Sequence, residues 1–86
     1  MRHANDEDLN RIDPLLGRIR LMATSGFIER KRGVFYLRGR ATLHFHEHAG
    51  EILADIRIYD DFERMTLRDD GAQLLAALAR VLGVSV

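Results

Sequence analysis

A two-layer α+β domain is the fold class this sequence predicts, on three observations. Apolar residues recur with a helical period over 13–25 and again over 70–83. Between those segments the period switches to two. The connections inside the alternating stretch are short enough to make consecutive strands antiparallel neighbours. The expected order is an N-terminal helix, a four-stranded antiparallel meander and a C-terminal helix, with both helices on one face of the sheet.

The first helix is expected to start at Asp13-Pro14. A carboxylate caps there, and a proline at the first helical position loses no hydrogen bond. Leu15, Leu16, Ile19, Met22 and Ala23 then form one stripe, and Gly26 is placed to end it in the left-handed conformation. Leu9 and Ile12 extend the stripe backwards as an earlier turn. At the other end, Asp70 with Gln73 resembles a capping box. Leu74, Leu75, Leu78, Val81 and Leu82 follow at helical spacing, alanines 72, 76, 77 and 79 raise helix preference, and Gly83 stops it.

The four strands are read over 34–37, 41–48, 51–59 and 62–67. Their connections are Gly39 with its flanking arginines, Ala49-Gly50 and Asp60-Asp61. A turn at Ala49-Gly50 pairs His48 with Glu51, His46 with Leu53, His44 with Asp55 and Leu43 with Ile56. One face then collects Leu43, Phe45, Ile52, Ala54, Ile56 and Ile58. The other collects Thr42, His44, His46, His48, Glu51, Leu53, Asp55 and Arg57. A one-residue slip would mix the two sets, so the pattern selects this register. A turn at Asp60-Asp61 adds Met65 and Leu67 to the apolar face, and Tyr59, Phe62, Arg64 and Thr66 to the polar one. The register of the first strand is left open by the Gly39 connection.

The chain has 86 residues, 47% hydrophobic and 30% charged, which suits one globular domain over 1–86. Its polar first eight residues are expected to be flexible. No apolar run approaches the ~20 residues of a membrane span, the start resembles no secretory signal, and the default location is cytoplasmic. With no cysteine, disulfides, thiolate catalysis and cysteine-rich zinc sites are excluded. The formal net charge is zero but unevenly spread. Seven cations from Arg18 to Arg40 face only Glu29, whereas eight acids from Glu47 to Asp70 face Arg57, Arg64 and Arg68.

"LHFHEH" raises the question of a metal site. Alternating residues of a strand project imidazoles to one side, and Asp55 lies opposite His44. His44 and His48, however, stand roughly 13 Å apart along a strand, so at most two neighbouring histidines and a carboxylate converge. The sequence favours a solvated or partner-facing polar sheet with no metal and no cofactor. His3 is expected to play no part in any metal response.

The same open face carries His44, His46, Leu53, Tyr59 and Phe62, joined by Phe35 or Leu37 if the first strand's register allows. Aromatics mixed with histidine and arginine suit a protein interface. Arg30, Lys31, Arg32, Arg38 and Arg40 form a basic loop that is a candidate for phosphate contacts. A winged-helix reader would need more helices before such a wing. No nucleophile elbow, phosphate loop or zinc-protease helix occurs. His44 beside Asp55 has the composition of a general base with its orienting carboxylate, but no pocket is expected around it.

The stretch Gly33 to Leu67 resembles a family of small uncharacterised bacterial proteins with an FY…A-x-LHFH…AD-x-R…FER pattern. Here the pattern falls on Phe35-Tyr36, Ala41, Leu43 to His46, Ala54 to Arg57 and Phe62 to Arg64. That family carries no activity to transfer and adds no site residues. The element order also resembles that of frataxin-like folds, in topology alone. The leading expectation is a non-enzymatic protein-interaction module, homodimeric through the open sheet face. Nucleic-acid binding through the basic segment and divalent-metal binding by histidine are the alternatives.

Overall fold

The computed structural model describes residues 1–22 and 24–85. Six strands occur among them: β1 (Arg2–His3), β2 (Phe27–Lys31), β3 (Val34–Leu37), β4 (Arg40–His48), β5 (Glu51–Ile58) and β6 (Asp61–Thr66). The helices are α1 (Asp6–Asn10), α2 (Asp13–Leu21) and α3 (Ala72–Leu82), and a 3-10 turn at Asp69–Gly71 precedes α3. The fold is α+β, with an antiparallel sheet ordered β2-β3-β4-β5-β6 and β1 lying against β4.

The β4–β5 hairpin has the register its alternation predicts, from Leu43 opposite Ile56 to His48 opposite Glu51. Ala49 and Gly50 both take positive φ (52° and 83°), the twist that a two-residue hairpin turn demands. The Glu47 carboxylate accepts the Gly50 N–H at 2.9 Å and helps hold the turn.

The β5–β6 turn differs from expectation. It falls at Tyr59-Asp60 rather than Asp60-Asp61, because Ile58 pairs with Asp61, and Tyr59 adopts φ +60°. The expected turn would have set Arg57 against Arg64. The observed one sets Arg57 against Phe62 and Asp55 against Arg64. Like charges directly opposite are unfavourable and opposite charges favourable, which accounts for the shift. Since the shift is two residues, the paired side chains keep their predicted faces, while Tyr59 leaves the strand for the turn.

The open register of β3 is settled by a bulge. Leu37 pairs with Arg40 and Tyr36 with Ala41, but Phe35 pairs with Leu43. The extra residue, Thr42, is buried, and its hydroxyl donates to the Arg40 carbonyl at 2.9 Å. Phe35 therefore enters the core at 1% exposure, and Leu37 packs against that core. Neither joins the histidine face.

Two further strands were not expected. β2, in the segment read as a basic loop, pairs with β3 from Phe27–Leu37 to Lys31–Val34. Its inward-facing Glu29 accepts Arg20 of α2 at 2.6 Å and the Gly33 N–H at 2.9 Å, so charge hides its alternation. β1 lies in the segment expected to be flexible. It pairs Arg2 with Glu47 and His3 with His46, on the part of the β4 edge that β3 leaves free. The Ala4 N–H continues the contact to the Phe45 carbonyl at 3.0 Å.

The helix ends also differ in detail. Asn5 and Asp8 form a reciprocal capping box on α1, and Leu9 is buried beneath it. The residue before α2 is Ile12, and the Asp13 carboxylate takes Arg32 at 3.2 Å instead of capping. α2 ends at Leu21, and Ala23 lies outside the described residues. Gly26, with φ +82°, belongs to the turn into β2 rather than to the helix end. α3 starts after Gly71, without the Asp70–Gln73 capping box, while Asp69 and Asp70 make a left-handed turn (φ 51° and 56°). Gly83 ends α3 in the left-handed conformation, as expected.

Leu16, Ile19, Leu74 and Leu78 from the helices bury completely against Phe35, Leu43 and Ile56 of the sheet, in one core. Gly71 is the tightest seam in it. Its φ is +80°, and a Cβ there would meet the Leu15 methyls at 2.6 and 2.7 Å. Gly50 has a similar φ of +83° with open space around it. Both alanine variants carry left-handed strain of roughly 1–2 kcal/mol, and Gly71→Ala adds overpacking of about 1–3 kcal/mol. Urea denaturation should therefore show Gly71→Ala to be clearly the less stable of the two. Equal midpoints would contradict the packing at this seam.

Candidate metal centre

Strand alternation turns His44 and His46 away from Leu43 and Phe45, and the hairpin register brings Asp55 beside them. Asp55 is only 5% exposed. A carboxylate so deeply placed requires a partner, and β6 supplies it. Arg64 donates from Nε to Oδ1 at 2.7 Å and from Nη2 to Oδ2 at 2.8 Å, a bidentate fork. The fork fixes the carboxylate plane. His44 Nε2 and His46 Nδ1 then both lie 3.3 Å from the same oxygen, Oδ2.

One donor atom from each of His44, His46 and Asp55 falls within 4.8 Å of the others, a grouping that can hold a metal ion. His46 Nδ1 is buried and, among the described residues, makes no hydrogen bond, despite its proximity to Asp55. Buried polar atoms are normally satisfied. This nitrogen is an exception, a buried donor atom with no protein partner among the described residues.

Burial lowers the pKa values of both His44 and His46, outweighing the upward pull of Asp55, while His3 and Arg64 add to the lowering. The Asp55 pKa is also lowered, first by the Arg64 hydrogen bond and against the cost of burial. The cluster thus favours neutral imidazoles around an ionised carboxylate, the protonation state that metal ligands need.

The flanking residues complete the face. The Phe62 ring meets His44 edge-on at 5.0 Å and lies under the Arg57 guanidinium at 4.5 Å. Leu53, opposite His46, is half-buried. Tyr59 is 92% exposed but sits in the β5–β6 turn, off the strand face. His48 is exposed and pairs with Glu51, apart from the metal-ligand grouping. Of the five sequence-predicted interface residues, His44, His46, Leu53 and Phe62 share the face.

The basic candidates are divided. Arg32 donates to Asp6, Asn10 and Asp13, and Arg40 pairs with Asp60 at 3.5 Å. Arg30 stacks on Tyr36 at 4.1 Å, while Lys31 and Arg38 are exposed. A cleft of about 280 Å³ is lined by residues that include His3, Lys31, Tyr36 and His44, so His44 does border a pocket.

Sequence reasoning did not bring Arg64 or His3 next to the cluster, where the structure places both. Arg64 had a usable signal, since only the shifted register opposes it to an acid. His3 had a weaker one: Asn5 and Asp8 stand at capping-box spacing and announce an ordered N-terminus.

No family model matches the chain, and neither curated proteins nor solved structures contain a significant match.

All three lowered pKa values act in one direction. Each group favours the folded state above its unfolded pKa, and that contribution is lost as pH falls through the folded value. For the histidines the loss begins below about 6.5, and for Asp55 below about 3.9. Stability from chemical denaturation should therefore decline between pH 6.5 and 5 in the wild type, and decline less in a His44→Gln/His46→Gln variant. Parallel profiles for the two proteins would contradict the burial of these imidazoles.

Proposed function

We propose that this protein binds a divalent transition-metal ion through His44, His46 and Asp55. The observation carrying the reading is the convergence of three donor atoms within 4.8 Å, one of them the buried His46 Nδ1, which has no hydrogen bond among the described residues. Two imidazoles and one carboxylate suit zinc, nickel or copper; magnesium and calcium prefer sites built from oxygen. The Asp55 charge is already balanced by Arg64. Imidazole coordination is then the main source of affinity, which places borderline-soft ions further ahead. In metal-site terms Arg64 orients a ligand from behind, as hydrogen-bonded partners of ligating carboxylates commonly do.

Binding to the folded state alone adds stability by mass action, about 2.7 kcal/mol at a hundredfold excess over Kd. For a domain of this size that corresponds to a melting temperature roughly 10–20 °C higher. Zinc at pH 7.5 should produce such a rise, with magnesium and calcium producing none. Because burial lowers both histidine pKa values, the response should persist somewhat below pH 6.5 and fade as the pH falls further and the imidazoles protonate. His46→Ala should abolish it. A wild-type melting temperature indifferent to zinc at pH 7.5 would end the metal reading.

The surroundings of Phe62 favour a second reading, a non-enzymatic interaction module that self-associates through this face. Phe62 is 38% exposed on a face that also carries the half-buried Arg57 and the exposed Arg64. An exposed aromatic flanked by arginines has the make-up of a protein interface, and an isologous contact between two copies of the chain is the simplest such pairing. Light scattering over a dilution series should give a dimer mass that Phe62→Glu reduces to the monomer. A strict monomer at high concentration removes this reading and leaves the metal reading intact.

A further inference from the structure

The cluster has a neighbour that comes from far away in the chain. His3 lies on β1, directly opposite His46 across the β1–β4 pairing. Cross-strand partners share a face, so His3 stands on the same side of the sheet as His44, His46 and Asp55. Its ring centroid is 4.5 Å from that of His46 and 6.0 Å from that of His44, while His44 and His46 are 5.0 Å apart. Three imidazoles thus form a triangle beside one carboxylate.

We infer that His3 is the fourth ligand of the metal proposed above, and that β1 acts as a metal-locked clamp over the site. This inference rests on the His44/His46/Asp55 reading. Zinc is commonly four-coordinate, and a site with four protein ligands is closed to substrate, whereas three protein ligands leave a position open. Three histidines and an aspartate make a closed site. The chain then functions by holding or handing over the ion rather than by activating a water on it.

Two features place His3 for this work. It is exposed, so its side chain can turn towards the cluster without breaking core packing. Its backbone is meanwhile anchored on both sides by other residues. Arg2 forms an ion pair with the buried Asp8 and approaches Glu47 at 3.5 Å, and the Ala4 N–H reaches the Phe45 carbonyl. Removing the His3 imidazole leaves those anchors in place. Metal binding and β1 docking are then linked in both directions: the ion holds the strand down, and loosening the strand opens the site.

Zinc affinity, measured by competition with a chromophoric chelator, should fall tenfold or more in His3→Ala, the scale on which even outer-shell partners affect metal sites. Cobalt(II) substitution should give the intense visible absorption of a tetrahedral ion in the wild type, and a weak, higher-coordinate spectrum in His3→Ala. Amide exchange at Ala4 should slow on adding zinc to the wild type and stay unchanged in His3→Ala. If His46→Ala abolishes binding while His3→Ala keeps wild-type affinity and the same cobalt spectrum, the clamp is overturned and the three-ligand site stands. If the wild type binds neither ion, both readings fall together.

Discussion

The pairing of β4 with β5 is the constraint on which the rest of the molecule depends. A two-residue turn with both residues at positive φ leaves no freedom in how the strands align. That single alignment sends Leu43, Phe45, Ala54 and Ile56 into the core and sets His44 beside Asp55. A slip of one residue would mix the two faces, turning either the histidines or Asp55 under the helices and the slipped strand's aliphatic side chains into water. Core and candidate site are therefore two faces of one register, and neither can be altered without the other. The second edge of β4 is shared by β3 and β1, which dock on it end to end.

How much of this was legible follows the strength of local patterning. The central hairpin and α3 could be read because their apolar periods are long and uninterrupted. The β5–β6 register was misplaced by two residues because Tyr59 takes a left-handed conformation that a bulky side chain seldom adopts. Phe35 was ambiguous because its side depends on the bulge at Thr42, and a bulge is a property of two strands together. β2 escaped notice because Glu29 faces inward to meet Arg20, a tertiary pairing that breaks the hydrophobic alternation. β1 has two residues and no pattern of its own; it exists because β4 offers it an unpaired edge.

The candidate site was half legible for the same reason. His44 and Asp55 face each other across a hairpin that sequence can align, so their meeting was expected. Arg64 arrives through the misplaced register and His3 through the unexpected strand. What had looked like a row of three histidines along one strand is instead a triangle drawn from two strands, with His48 left out. Residues adjacent in sequence gave the clue, and residues distant in sequence give the geometry.

The outer strands carry a consequence of another kind. The sheet ends in β2 on one side and β6 on the other, and each edge presents backbone groups that another chain's strand could pair with. β2 has an irregular pairing between Glu29 and Lys31, with Arg30 and Lys31 exposed. β6 begins with Asp61 and continues through Glu63 and Arg64, all exposed. Charged edges and a kinked ladder are devices by which β-proteins resist fibril-like stacking. The ionic residues that obscured β2 in the sequence thus protect the folded chain from its own kind, and swapping them for β-branched apolar residues would make the strand easier to read and the protein harder to keep dispersed.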